Sequence, residues 1–136
     1  MVLKMRYKSK YYNVKTRTSD GNVFDSTKEA RRWEQLLLLV KAGEITNLQK
    51  QVKYELIPNQ YETYERYSKT GKRLKDGVRL AERKAEYVAD FVYTIANTGE
   101  TIVEDVKGCK KGVAYEYFVL KRKLMLAVHS IRVKEV

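Results

Sequence analysis

Asp90, Asp105 and Lys107 are the residues whose types and spacing could do chemistry. In Tyr87-Val88-Ala89-Asp90-Phe91-Val92-Tyr93, strand alternation groups Asp90 with Val88 and Val92. In Ile102-Val103-Glu104-Asp105-Val106-Lys107, the same rule groups Asp105 and Lys107 with Val103, and turns Glu104 the other way beside Ile102 and Val106. Asn97-Thr98-Gly99 between the two runs reads as the turn of a hairpin. Pairing across it sets Asp90 opposite Asp105, giving two carboxylates and an ammonium in one patch. Such carboxylates repel unless a cation lies between them. Mg²⁺ or Mn²⁺ suits the task, because Mg²⁺ takes a few carboxylates together with water and phosphate oxygens. A metal so held polarises a phosphodiester and makes hydroxide from its water. Lys107 would orient that nucleophile or stabilise charge building on the phosphate. An Asp-x-Lys triplet alone arises constantly by chance, and as a surface ion pair it is worth little. The apolar setting of Asp90, the hairpin and a following helix make the combination more specific.

Glu29 is a third acidic candidate. Ser26 and Glu29 have the S-x-x-E spacing of a capping box. Glu29 also precedes Trp33 by four residues, and so extends the stripe Trp33, Leu36, Leu37, Val40. Spacing leaves capping and metal binding both open.

The elements that must position these residues follow from pattern. Residues 1–18 read as a basic arm, with Val14–Arg17 pairing Asn22–Phe24 around Asp20-Gly21-Asn22. A first helix starts near Ser26 and stops at Ala42-Gly43. Gln51–Pro58 alternates as a strand ended by the only proline. Residues 59–84 form a basic insertion, expected to be a mobile loop or partly helical. After the hairpin and Gly108–Gly112, a second helix places Val113, Tyr117, Leu120 and Leu124 on one face, and Ser130–Val136 closes the chain as a strand. The expectation is a single α/β domain over residues 1–136, a central mixed β-sheet flanked by helices.

Bulk properties narrow the partners. With 28 Lys and Arg against 17 Asp and Glu, the net charge of +11 calls for a polyanion. Arg31 and Arg32 on the first helix, and Lys110, Lys111, Lys121 and Arg122 around the second, could hold a phosphate backbone; each reads equally well as a solvated face. Eleven tyrosines could stack on bases or simply pack. The longest apolar runs, Leu36–Val40 and Leu124–Val128, are far short of the roughly 20 residues a spanning helix needs, so no membrane is expected. The N-terminus has no signal-peptide pattern, which makes the cytoplasm the expected compartment. One cysteine and one histidine close off disulfide frameworks and Cys/His metal sites.

Phe24-Asp25-Ser26-Thr27-Lys28-Glu29-Ala30-Arg31-Arg32, Gly43-Glu44-Ile45 with Leu48 and Gln51, Tyr87-Val88-Ala89-Asp90-Phe91, and Val103-Glu104-Asp105-Val106-Lys107-Gly108 resemble phage proteins of the family labelled domain of unknown function 1064. The resemblance runs from about Val23 to the end of the chain. That family is similar to PD-(D/E)xK nucleases, including Holliday junction resolvases and transposon-end nucleases. The resemblance implies a restriction-endonuclease-like fold and metal-dependent DNA endonuclease activity. In it Glu29, Asp90 and Asp105 are the Mg²⁺ or Mn²⁺ ligands, Lys107 completes the catalytic set, and Gln51 lies near the metal or nucleophile. It further implies DNA recombination, repair or packaging in the host cytoplasm. Cutting branched DNA would need two active sites, hence a homodimer. Ala89 stands where the signature has proline, and Asp105 where glutamate is common. A non-catalytic nucleic-acid-binding protein retaining this fold is the alternative, and an RNA-processing nuclease is a third reading.

Overall fold

The computed structural model describes residues 14–136, so the basic arm expected over 1–18 lies outside the described residues up to residue 13. Strands β1 (Thr16–Arg17) and β2 (Val23–Phe24) form the short antiparallel hairpin expected there. Asp20 in its turn accepts from the Thr18 hydroxyl at 2.5 Å and from the Trp33 indole N–H at 2.8 Å, which fastens the turn to the first helix.

Helix α1 (Thr27–Lys41) begins where Ser26 Oγ accepts the Glu29 N–H at 3.1 Å and ends before Gly43, whose φ of 76° suits glycine. Ala30, Trp33 and Leu36 are its buried residues, whereas Val40 is 39% exposed and falls off the expected stripe.

The main sheet has the order β3 (Ile45–Ile57), β6 (Ala85–Ile95), β7 (Thr101–Asp105), β8 (Lys134–Glu135). It is mixed, because β3, β6 and β7 pair antiparallel while β7 and β8 pair parallel. Strand β3 starts earlier than the Gln51–Pro58 pattern implies, and β8 is only a two-residue strand. Each face of the sheet carries a helix. Phe24, Trp33 and Leu36 pack with Phe91, Tyr93 and Val106 on the α1 side, where the rings of Phe24, Trp33 and Phe91 lie 5.6–5.9 Å apart. On the other side, helix α2 (Val113–His129) sets Phe118 and Met125 against Tyr87, Ala89, Val92 and Val103. The face of α2 bearing Val113, Tyr117 and Leu120 is exposed instead. The helix is apolar around much of its girth, so several stripes fit a 3.6-residue period, and the sheet selects the one ending in Phe118 and Met125.

Residues 59–84 are neither loop nor helix. They form an antiparallel hairpin, β4 (Gln60–Tyr67) and β5 (Arg73–Glu82), lying between β3 and β6 in the chain and almost wholly exposed. Ser68 and Lys72 close its tip through a 2.8 Å backbone bond, with Gly71 at φ 85°. The Tyr64 ring lies across Gly77, where a Cβ would sit 2.4 Å from it and push the ring aside. With both faces wet, the hairpin has no reason to alternate apolar and polar residues, which is why pattern did not find it.

Candidate active site

Strand β7 alternates cleanly. Ile102, Glu104 and Val106 turn toward α1, while Val103, Asp105 and Lys107 turn toward α2. The β6–β7 register pairs Val92 with Val103 and Phe91 with Glu104, so one further step brings Asp90 opposite Asp105. Asp90 Oδ2 accepts the Val106 N–H at 2.8 Å. Asp105 is 4% exposed; its Oδ2 accepts the Tyr87 hydroxyl at 2.7 Å. Its Oδ1 lies 2.6 Å from Lys107 Nζ, too poorly aligned for a hydrogen bond, and is a buried acceptor without one. The Lys107 ammonium also stands 3.9 Å from the centroid of the Phe118 ring, a cation–π contact that brings α2 into the site.

Backbone bonds hold this segment from both sides. Val136 N–H donates to the Asp105 carbonyl at 2.9 Å, and Lys107 N–H donates to the Val136 carbonyl at 3.1 Å. Lys28, in the first turn of α1, donates its ammonium to the Lys107 carbonyl.

Strand β6 departs from simple alternation at the aspartate. Tyr87, Ala89 and Val92 pack under α2, but Phe91 and Tyr93 pack under α1, so the pattern slips across Asp90. Val88, expected to share a face with Asp90 and Val92, is 38% exposed, whereas Val92 is buried. On the neighbouring strand the pairs Lys50–Phe91 and Val52–Ala89 bracket Gln51, which faces Asp90 in register and has a left-handed φ of 53°. A non-glycine in that conformation amid a strand marks a local irregularity of the kind that collects beside functional sites. Gln51 thus sits next to Asp90 in the sheet, with its side chain exposed.

Glu29 is half-buried. Burial raises its pKa, the Ser26 hydroxyl opposes the rise, Asp25 and Asp105 add to it, and Lys107 again opposes. The glutamate therefore shares an electrostatic neighbourhood with the pair. Among the described residues, however, no three His, Cys, Asp or Glu side chains gather closely enough to hold a metal, so the three-carboxylate ligand set of Glu29, Asp90 and Asp105 is not formed. Three such charges in a half-buried place would repel, and one cationic side chain, Lys107, is what offsets them here. Asp90 and Asp105, whose Oδ1 meets only the Lys107 ammonium, still fit a hard divalent cation that takes the place of that ammonium and draws its other ligands from water and substrate.

Asp90 reports the same strain. Burial and then Asp105 push its pKa up to about 7; the Val106 N–H and Lys107 act downward, and Glu29 acts upward. An unfolded aspartate ionises near 3.8, so over the interval up to about 7 the folded protein binds a proton that the unfolded chain has lost. Stability from this group is full below the lower value and falls as pH rises to the upper one. Asp90→Asn is expected to melt higher than the parent at pH 8 in EDTA and to match it below pH 4. Mg²⁺ should raise the melting temperature of the parent at pH 8 and not that of the variant. Identical melting curves for the two proteins across this range would sink the assignment.

The basic residues divide. Arg32 faces inward, its Nε and Nη2 forking onto Glu104 at 2.9 and 2.6 Å, and so is committed to a wholly buried carboxylate rather than to phosphate. Arg122 and Lys110 reach Glu135 at 2.6 and 3.2 Å, beside Asp105 on the β7–β8 ladder. Arg31, Lys111 and Lys121 are exposed and have no carboxylate partner among the described residues. Lys121 lines a cleft of ≈ 230 Å³ with Tyr87, Asp105, Lys107, Tyr117 and Phe118. Asp90 does not line this cleft, and larger hollows of ≈ 530 and ≈ 480 Å³ elsewhere are lined by neither aspartate nor by Lys107.

Tyr87, Phe118 and Lys28 were not expected at the site. Tyr87 has the wrong parity to face Asp105 from a regular strand, and only the slip at Asp90 brings it there; Lys28 and Phe118 carried no sequence signal. No helix among the described residues is long and apolar enough to cross a membrane. No curated protein and no solved structure matches the chain. A family model described as protein of unknown function (DUF1064) matches residues 8–134, nearly the whole chain, which therefore belongs to that family.

Proposed function

We propose that the protein is a divalent-metal-dependent DNA endonuclease of the PD-(D/E)xK kind, with a restriction-endonuclease-like fold, serving phage DNA metabolism in the host cytoplasm. The observation that carries this reading is the buried carboxylate of Asp105, whose Oδ1 has no hydrogen bond and only the Lys107 ammonium beside it, across from Asp90. A carboxylate buried opposite a second carboxylate, with one ammonium to offset the two, is costly to keep for stability alone. Bound Mg²⁺ or Mn²⁺ would supply Lewis-acid polarisation of the scissile phosphate and a water of lowered pKa. Asp90 and Asp105 would hold that cation, with Tyr87 and the Val106 N–H fixing their orientation. Lys107, steadied over Phe118, offers an ammonium to the charge that develops on a phosphoryl oxygen. Glu29, close enough to feel the charges of Asp105 and Lys107, would accept a hydrogen bond from the attacking water. Of the cations expected at the DNA backbone, Lys121, Lys111 and Arg31, which have no carboxylate partner among the described residues, would grip it. If the substrate is branched, two copies must act together.

The test is incubation with linear duplex, single-stranded and four-way-junction DNA, in Mg²⁺ and in EDTA. Cleavage of at least one substrate that requires Mg²⁺ is expected. Tight binding to all three without metal-dependent cleavage would replace this reading with that of a non-catalytic DNA-binding protein.

A further inference from the structure

The β4–β5 hairpin has no place in the site just described, yet it holds six of the chain's basic residues, Arg66, Lys69, Lys72, Arg73, Lys75 and Arg79, with Arg83 and Lys84 just past β5, against the four acids Glu62, Glu65, Asp76 and Glu82. The acids are not spread evenly. Arg79 pairs with Glu62 at 2.6 Å and Arg73 with Asp76 at 2.9 Å, while Lys84 pairs with Glu86 outside the hairpin at 2.8 Å. Around the tip, Arg66, Lys69, Lys72 and Lys75 are exposed and meet no carboxylate among the described residues. The arm forms a two-stranded sheet of its own, and nothing among the described residues covers either of its faces.

We infer that this hairpin is an arm that enters the major groove of B-form duplex DNA and anchors it through phosphates at the tip. The inference rests on DNA as the substrate. Three features favour it. Eight residues of strand reach about 25 Å, and a two-stranded ribbon matches a groove about 12 Å wide. The cations gather at the free end, where they would straddle the phosphate rows, rather than beside the sheet. A core role is also absent, since the arm buries no side chain of its own. Duplex RNA is the wrong shape for the same ribbon, because the A-form major groove is deep and narrow.

Binding is to be measured by fluorescence anisotropy in EDTA, so that hydrolysis plays no part, on a DNA duplex and an RNA duplex of one sequence, across a salt series. For the triple variant Lys69→Ala, Lys72→Ala, Lys75→Ala, DNA affinity at about 0.1 M salt is expected to fall on the order of 50-fold, and the slope of log affinity against log salt to flatten by about 3. Affinity for RNA should move by less than about 3-fold. An unchanged DNA slope, or an equal loss on RNA, overturns the arm. So does a dimer that Val78→Lys, at an exposed valine of β5, converts to monomer while the DNA slope stays intact, for the ribbon would then belong to a second copy. The two readings fail separately. Arm-dependent binding without Mg²⁺-dependent cleavage removes the nuclease alone, and cleavage with arm-independent binding removes the arm alone.

Discussion

Asp105→Asn is expected to lower Mg²⁺-dependent DNA cleavage by about 10³-fold or more while leaving the protein folded. The substitution keeps the shape of the side chain and a carbonyl oxygen able to accept the Tyr87 hydroxyl at the position of Oδ2. What disappears is the negative charge at a buried oxygen that has no hydrogen bond, together with the ion pair that steadies Lys107. Catalytic cost and structural cost should therefore separate. The melting temperature in EDTA should change by only a few degrees, and DNA affinity measured without metal should hold steady or rise slightly, as a negative charge facing phosphate is gone. Single-turnover cleavage rates at saturating DNA, set beside circular dichroism, would read the difference. A variant that cuts within about tenfold of the parent would show that Asp105 holds no essential cation, and the proposed chemistry would go with it.

Glu104→Gln is expected to do the reverse, destabilising the fold by about 3 kcal/mol while sparing turnover per folded molecule. Glu104 is wholly buried and satisfied by the Arg32 fork and by the Tyr93 hydroxyl at 2.5 Å. Burial works against its ionisation, but Arg32 and Tyr93 outweigh burial and hold its pKa below the ordinary glutamate range, while burial and Glu104 push the tyrosine up to about 12. An acid whose pKa drops on folding adds stability above its unfolded value and loses it as pH falls through the folded one, so the pair works at neutral pH and fails in acid. Removing the charge strands a partly buried guanidinium. The estimate sits at the lower end of the usual range because Arg32 keeps 19% exposure and can partly rehydrate. Denaturant midpoints at pH 7 and at pH 4 would test this, with the gap between parent and variant narrowing in acid. An equal gap at both values would mean that shape, not charge, explains the loss.

These contrasting neighbours show what pattern could and could not reveal. Alternation alone sorted Glu104 from Asp105, because β7 is regular and covered on both faces, and hairpin spacing alone set Asp90 against Asp105. It could not foresee the slip along β6 or the left-handed turn of Gln51, since neither residue type announces an irregular backbone. Arg32 looked like a surface cation because its partner lies 72 residues away in sequence, a separation that only the folded sheet closes. The Tyr- and Lys-rich ribbon of β4 and β5 escaped for the opposite reason, as a strand with no buried side carries no period to read. The mixed character of the sheet was expected from the sequence, whereas the strand order came only with the fold, since pattern does not say which strand β3 or β8 pairs with.

The break in alternation along β6 has one more consequence. Ala89 and Phe91, both fully shielded from water, belong to different hydrophobic layers, and the acid between them is the hinge point where those layers meet. Reshaping either layer would tilt that single peptide and carry the carboxylate with it. Selection on packing and selection on chemistry thus act on the same few atoms, and thermostabilised versions of this protein should be sought in α2 or on the ribbon rather than at this seam.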